Sequence, residues 1–424
     1  TWSARCATSW CSTSRAAPPT SRRTTSRTAW VSPARRARDK IRAPTPGGTP
    51  MKFGFFTTLA EPGQSRPYTQ IIDALREQAI HADQAGFDHV WLAEHHFGPE
   101  GMGNIPNPIV LAADLAARTR RVRLGLAAVI LPWWHPIRLA EDLAVLDHLL
   151  KGRLDIAIGR GVWPREGPNF HPKADPRDAE ANLSLFREQL QIIKKCWTEE
   201  FFSHAGEHYT FPAPNMAWKH PMFPADPRWR EGDRITKLNV VPKPYQTPHP
   251  TLWQVCSSQS SIQFAAENGI NVMVWQPPPK SIKLYGEWYA EARAKATGQA
   301  VEPKNHVAAL RQIYVAPTME QAEADAREGA SFTYLYNNPF RGLTMFMNPN
   351  EKPGPGMEMG YDFLKARGNV IVGPPDYVVE RLQELREVGG VDNIIPDMAL
   401  PFLSQKQILG SISLFAEKVM PRLS

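Results

Sequence analysis

The sequence predicts an α/β chain folded as a (β/α)8 TIM barrel with insertions. Three observations carry that expectation. Short apolar runs of strand length alternate with helical patterns, giving eight strand–helix units between residues 51 and 424. Such alternation builds a parallel sheet covered by helices. Eight units over about 370 residues suit a closed barrel with insertions. The first strand runs into Leu59-Ala60-Glu61-Pro62-Gly63. The runner-up, an open doubly wound sheet, usually carries a glycine-rich turn at that point.

The elements follow in order. Lys52–Thr57 (KFGFFT) reads as a strand. Residues 68–85 read as a helix with Ile71, Leu75 and Ala79 on one face, closed by Gly86. Then come strand 88–93, helix 107–119, strand 122–130, helix 136–150 and strand 154–159. Helix 179–198 places Leu183, Phe186, Leu190, Ile193 and Trp197 at helical spacing. Strand 251–256, helix 259–268, strand 271–275, helix 281–297, strand 308–315 and helix 318–330 continue the rhythm. Helix 375–388, strand 393–399 and helix 404–420 complete it. Two stretches interrupt. Residues 212–250 hold nine prolines and many aromatics, too long for an ordinary connection and read as an insertion. Residues 335–370 hold Asn, Pro and Gly clusters and read as a mobile loop, a candidate lid.

Composition narrows the function. Ten of the 49 Lys and Arg, but one of the 42 Asp and Glu, fall in residues 1–50. The body therefore carries 39 basic and 41 acidic residues, and the +7 of the whole chain becomes −2. A nucleic-acid binder carries its basic patch on the folded domain, so that class is set aside. Residues 1–50 are Ser-, Thr-, Ala-, Arg- and Pro-rich without apolar periodicity. They read as a disordered or non-native basic extension, with a targeting role as the alternative. No apolar run approaches about 20 residues, so no membrane contact is expected. Four cysteines make no disulfide framework, and no Cys/His spacing suggests a metal. No export signal is recognised, which points to the cytoplasm.

Barrel chemistry belongs at the C-terminal ends of strands. Strand two ends Glu94-His95-His96-Phe97, a carboxylate and two imidazoles able to act as acid or base. A zinc site is the weak alternative, and a structural role for either histidine stays open. Strand three ends Ala127-Ala128-Val129-Ile130, where small residues let a flat ligand approach. Strand four ends Gly159-Arg160-Gly161, offering a guanidinium and free amides to a phosphate. Strand five ends Cys256-Ser257-Ser258-Gln259-Ser260-Ser261 and opens a helix. Its hydroxyls and amides suit an anion, with plain N-capping as the bland reading. Trp133, Trp134, Trp163 and Trp275 are candidates for an apolar pocket.

These residues resemble the bacterial luciferase-like family of flavin-dependent monooxygenases. The resemblance rests on MKFG at 51–54, AGFDHVWLAEHHF at 85–97 and LAAVILPWWHPIRLAEDLAVLDHLLKGRLDIAIGRG at 126–161. AAENG at 265–269 and VMPRL at 419–423 extend it. It covers nearly all of 51–424, read as one monooxygenase domain, and none of 1–50. It implies a two-component enzyme that takes reduced FMN (FMNH2) from a separate NAD(P)H:flavin reductase. Dioxygen as co-substrate, activated as a C4a-(hydro)peroxyflavin, would then oxygenate a small apolar organic molecule. By position, His95 matches the catalytic histidine, with Glu94 and His96 beside it. Ala127 and Ala128 match the small pair under the flavin ring, joined in relatives by a cis peptide. Arg160 matches the phosphate arginine, with Gly161 and Val162 beside it, and Ser258 and Ser261 match the phosphate hydroxyls. A homodimer is implied. Gly159 stands where luciferases carry a cysteine and Trp163 where a tyrosine is expected, so the resemblance does not carry light emission or a long-chain aldehyde substrate over to this chain. The alternatives are a flavin- or deazaflavin-dependent reductase on the same barrel, or a non-catalytic subunit of a heterodimer.

Overall fold

The computed structural model describes residues 50–222, 226–354, 357 and 360–423. The basic stretch 1–49, expected as an extension, lies outside the described residues, as do 223–225 of the insertion and 355, 356, 358 and 359 of the expected loop.

Nine strands form the main sheet: β1 (Lys52–Thr57), β2 (His89–Leu92), β3 (Arg123–Ile130), β4 (Leu154–Gly159), β5 (Thr251–Val255), β6 (Asn271–Trp275), β7 (Val307–Val315), β8 (Val370–Gly373) and β9 (Asn393–Asp397). Eight of them close a parallel barrel in the order β1, β2, β3, β4, β5, β6, β7, β9, with β9 returning to β1. The extra strand β8 takes up the edge of β7 where β6 leaves it. Val307–Leu310 pair with β6, and Gln312–Val315 pair with β8.

The helices are α1 (Tyr68–Ala85), α2 (Pro108–Ala116), α3 (Pro136–Leu150), α4 (Ala179–Thr198), α5 (Gln259–Glu267), α6 (Pro279–Thr297), α7 (Met319–Arg341), α8 (Tyr361–Ala366), α9 (Pro375–Glu387) and α10 (Gln405–Lys418). Gly86 closes α1 in the left-handed conformation (φ 96°), as its sequence position predicts. Ser404 and Gln407 form a reciprocal capping box that starts α10.

Alternation along the strands sorts side chains to two cores. Outward residues such as Val90, Leu92, Leu124 and Ile156 join the helices. Inward residues such as Phe56, Trp91, Ala127, Ala157, Trp253, Leu310 and Ile395 fill the barrel. Trp91 is the largest plug, and two glycines make room for it. A Cβ on Gly125 would fall 2.0 Å from Trp91 Cε3, and one on Gly54 would fall 2.5 Å from Trp91 Nε1.

Two expectations need correction. The expected loop 335–370 is helical as far as Arg341, because α7 continues well past residue 330. It then makes a turn at Thr344–Phe346, followed by α8. Met345, Phe346 and Met347 are buried with Tyr314, Tyr334 and Tyr361 in a satellite core, so part of this stretch packs. Strand β8 (VIVG) is absent from the sequence reading, since it begins at the end of the stretch taken for a loop and breaks the strand–helix alternation. The expected insertion 212–250 contains one small antiparallel ribbon, Arg230–Glu231 with Arg234–Ile235, and a second, His204–Ala205 with Thr210–Phe211, precedes it.

Candidate active site at the C-terminal barrel face

The strand ends surround a cavity of about 1540 Å³, counted out to its open mouth. Its walls come from β1 to β7, β9 and the α7 helix. It brings together Glu94, His95, Ala127, Ala128, Arg160, Gly161, Val162, Ser258 and Ser261. These are all but one of the residues expected as catalytic or cofactor-binding. The exception is His96, whose ring packs instead against Trp133 and Phe170 (centroids 5.3 and 4.6 Å).

His95 is held from several sides. Its amide donates to the Ile105 carbonyl, and its ring stacks on Trp163 with centroids 3.9 Å apart and planes 20° apart. Its Nδ1 lies 3.4 Å from Glu166 Oε1. Glu166 Oε1 also accepts the His96 amide at 2.7 Å, and Glu166 is fully buried. One carboxylate thus borders both histidines from the loop that follows β4.

Glu94 has a different task. The Ile130 amide and the Trp134 indole each donate to it at 2.9 Å, and His96 Nε2 lies 3.2 Å away. Burial raises its pKa above the usual carboxylate range, against these three contacts. It thereby ties the end of β2 to the end of β3. Trp134, expected in the pocket, is drawn into this network, while Trp133, Trp163 and Trp275 do line the cavity. The Ala127–Ala128 peptide is cis, and the β3–β4 register shifts across it.

Arg160 extends from the end of β4. Among the described residues its guanidinium reaches only the Ala179 carbonyl and Asn182 Oδ1, each at 3.5 Å. Among the described residues no carboxylate pairs with it, and burial lowers its pKa. Beside it, Ser258 caps α5, accepting the Ser261 amide at 3.3 Å, and the two hydroxyl oxygens are 2.6 Å apart. A partly buried cation without a counter-ion, two hydroxyls and a helix N-terminus make a seat for a dianion. Gly161 turns the chain there with φ +85°, and a Cβ on it would sit 3.0 Å from Trp133 Cζ2. Cys256 lies nearby, but burial pushes its thiol up to about 12, so it is no nucleophile.

Several cavity residues escaped the sequence reading. Glu166 lies in the loop six positions beyond Arg160, and its acid could have been read there. Asp397 ends β9 and could have been found by reading the last strand end as the others were read. Thr333, Tyr336 and Asn337 come from α7, in a stretch split between expected helix and loop. Tyr336 Oη accepts from Arg165 Nη2 at 2.8 Å, and Arg165 also pairs with Glu100 at 2.6 Å. This links α7 to the β4 loop over the cavity. Among the described residues no three His, Cys, Asp or Glu side chains gather as a metal would require.

The fold and this cavity define a (β/α)8-barrel protein whose mouth carries, on one side, an arginine without a carboxylate partner among the described residues beside two serine hydroxyls. The chain belongs to the luciferase-like monooxygenase family, whose model matches residues 51–392. It is similar to the oxygenase component of a flavin-dependent trigonelline monooxygenase from Acinetobacter baylyi, 28% identical over 382 residues, covering 88% of this chain and 96% of that one. It is 27% identical over 394 residues to the alkanal monooxygenase alpha chain of the Kryptophanaron alfredi symbiont, covering 88% and 98%. In fold it resembles the oxygenating constituent of 3,6-diketocamphane monooxygenase from Pseudomonas putida, solved with FMN. That match has a TM-score of 0.70 at 23% identity and covers 89% and 99%.

Proposed function

We propose that the protein is the oxygenase half of a two-component flavin monooxygenase, using reduced FMN and dioxygen on a small organic substrate. The observation that carries this is the anion seat. Arg160 has no carboxylate partner among the described residues, and it neighbours the Ser258 and Ser261 hydroxyls at the start of α5. The residues present fit FMN. The phosphate would take Arg160, Ser258 and Ser261, and the small Ala127-Ala128 wall leaves room for a flat ring.

When bound, reduced FMN supplies the electrons for dioxygen activation. The chain's own residues position and exclude. His95, clamped on Trp163 and beside Glu166, presents an imidazole to the cavity, where it holds or moves a proton. Glu94 keeps the ends of β2 and β3 in place and is a positioning residue. Trp133, Trp163 and Trp275 keep water from the reacting centre. A partner NAD(P)H:flavin reductase fits this reading, and the name of the Acinetobacter relative, an oxygenase component, supports it. A homodimer and a cytoplasmic setting, where reduced flavin is made, complete the proposal.

The test is rapid mixing of the anaerobic protein–FMNH2 complex with oxygenated buffer. The expected result is an absorbing species unlike reduced or oxidised flavin that outlasts free-flavin oxidation. Direct return to FMN at the free-flavin rate, with and without candidate substrates, would instead point to a reductase.

A further inference from the structure

The cavity has a second polar feature that the flavin seat does not use. Asp397 ends β9 with its side chain on the inner face of the barrel, in register with Phe56 of β1 and Gln312 of β7. In the closed order β9 stands four strands from β4, so Asp397 and Arg160 occupy opposite walls of one cavity. Asp397 is 8% exposed, and among the described residues no side chain or free amide donates to its carboxyl. The neighbouring strands bring it no charge. Phe56 and Leu310 face inward beside it. Gln312 is buried with both amide atoms unpaired, and Arg311 hydrogen-bonds to the Leu310 and Pro277 carbonyls instead.

An unpaired buried carboxyl is costly, and native interiors rarely keep one without use. Desolvation alone pushes Asp397 up to about 7. Of the other cavity acids, Glu94 is engaged by two donors and the His96 ring, and Glu166 takes the His96 amide on Oε1 beside His95 while its Oε2 is left without a partner among the described residues. Arg160 is the one Lys or Arg among the described wall residues, and the phosphate would neutralise it. Besides His95 and the neutral Thr333, Tyr336 and Asn337, the walls offer the substrate the Asp397 carboxyl, with Phe56 and Leu310 on the strands to either side of it. That combination attracts a cation with an apolar body, through charge and ring faces together, and repels a carboxylate.

We infer that Asp397 is the substrate-recognition residue of this cavity, and that the substrate class is a small amine or other nitrogen cation on an apolar frame. The inference rests on the flavin reading only in assigning Arg160 to a phosphate. The test is calorimetric titration at pH 8 with benzylamine, charged at that pH, and with benzyl alcohol, its neutral analogue. Wild type and Asp397→Asn are each titrated with and without FMN, and FMN binding is measured separately. Benzylammonium should bind wild type about tenfold more tightly than the alcohol. Asp397→Asn should lose that preference and keep its FMN affinity. Should the amide variant fail to fold, Asp397→Leu serves the same comparison. Equal binding of the two probes by wild type, or a preference that survives in the variant, overturns the inference. So does a variant that loses FMN together with the amine, since Asp397 would then belong to the flavin. Failure of wild type to bind FMN defeats the flavin reading instead, and the flavin-free titrations still decide the role of Asp397.

Discussion

At the scale of single residues, the site is a set of side chains whose partners reveal their tasks. Arg160 has two long contacts to neutral oxygens and no acid among the described residues. Arg160→Ala should therefore leave the fold intact and weaken FMN binding by about 1.5–3 kcal/mol, the worth of a charge-assisted hydrogen bond. Equilibrium titration followed by flavin fluorescence checks this. His95→Ala should fold and bind flavin normally but form no product, which a coupled assay with a flavin reductase and product analysis would reveal. Glu166→Gln keeps the shape beside His95 and removes the charge. It should lower kcat about tenfold, equivalent to ~1.4 kcal/mol, and shift the pH–rate profile while FMN affinity stays the same. An unchanged profile would leave Glu166 as packing.

At the scale of elements, the barrel strands act as delivery arms whose lower halves are pinned by packing. Trp91 is inserted between β1 and β3 because Gly54 and Gly125 carry no Cβ. Gly125→Ala would place a methyl 2.0 Å from the indole. The chain must then move Trp91 or β3, at a cost of about 1–3 kcal/mol from overpacking. Because β3 ends in Ala127-Ala128, the same variant should also loosen flavin binding, so urea melts and FMN titration should fall together. Elements with a clear period were legible beforehand: β1, β3, β4, α1, α4 and α10 lie within a residue or two of their expected bounds. β8 was not, since it starts inside the stretch taken for a loop, and neither was the full reach of α7. Asn337, Asn338 and Pro339 read as helix breakers, yet packing of Tyr334 into the satellite core and the Arg165–Tyr336 contact hold the helix through them.

At the scale of the molecule, the two ends of the barrel divide stability from chemistry. Asp155, near the start of β4, meets His89 Nε2 at 2.6 Å and Arg123 Nε at 2.8 Å at the end opposite the cavity. Burial opposes its ionisation, but the hydrogen bonds from His89 and Arg123 outweigh burial and hold the carboxyl at about 2. A depressed carboxyl stabilises the fold above its unfolded pKa, about 4, and that share is lost as pH falls from there through about 2. Asp155→Asn should thus cost about 3 kcal/mol at pH 7 by taking the counter-ion from Arg123, which keeps its bonds to Gly152, Leu154 and Gln246. Its stability should then fall less steeply than wild type between pH 4 and 2. Thermal melts across that range would show both effects, with FMN affinity at neutral pH unchanged.

The sequence alone determined the architecture and the Arg160 and serine side of the candidate site. Strand and helix periods are local properties, and the runs EHHF, GRG and SSQSS stand next to the strands that present them. The likeness to the luciferase family named the same residues. What only the tertiary structure decided is the sorting among them and the far wall. Glu94 is a tie between strands, His96 is packed against Trp133 and Phe170, and Glu166 stands beside His95. Asp397 faces Arg160 across the mouth although 237 positions separate them in the chain. The physical reason is closure. A carboxyl's neighbours, and therefore its charge, are set by which strands meet around the barrel, and no period along the chain records that meeting.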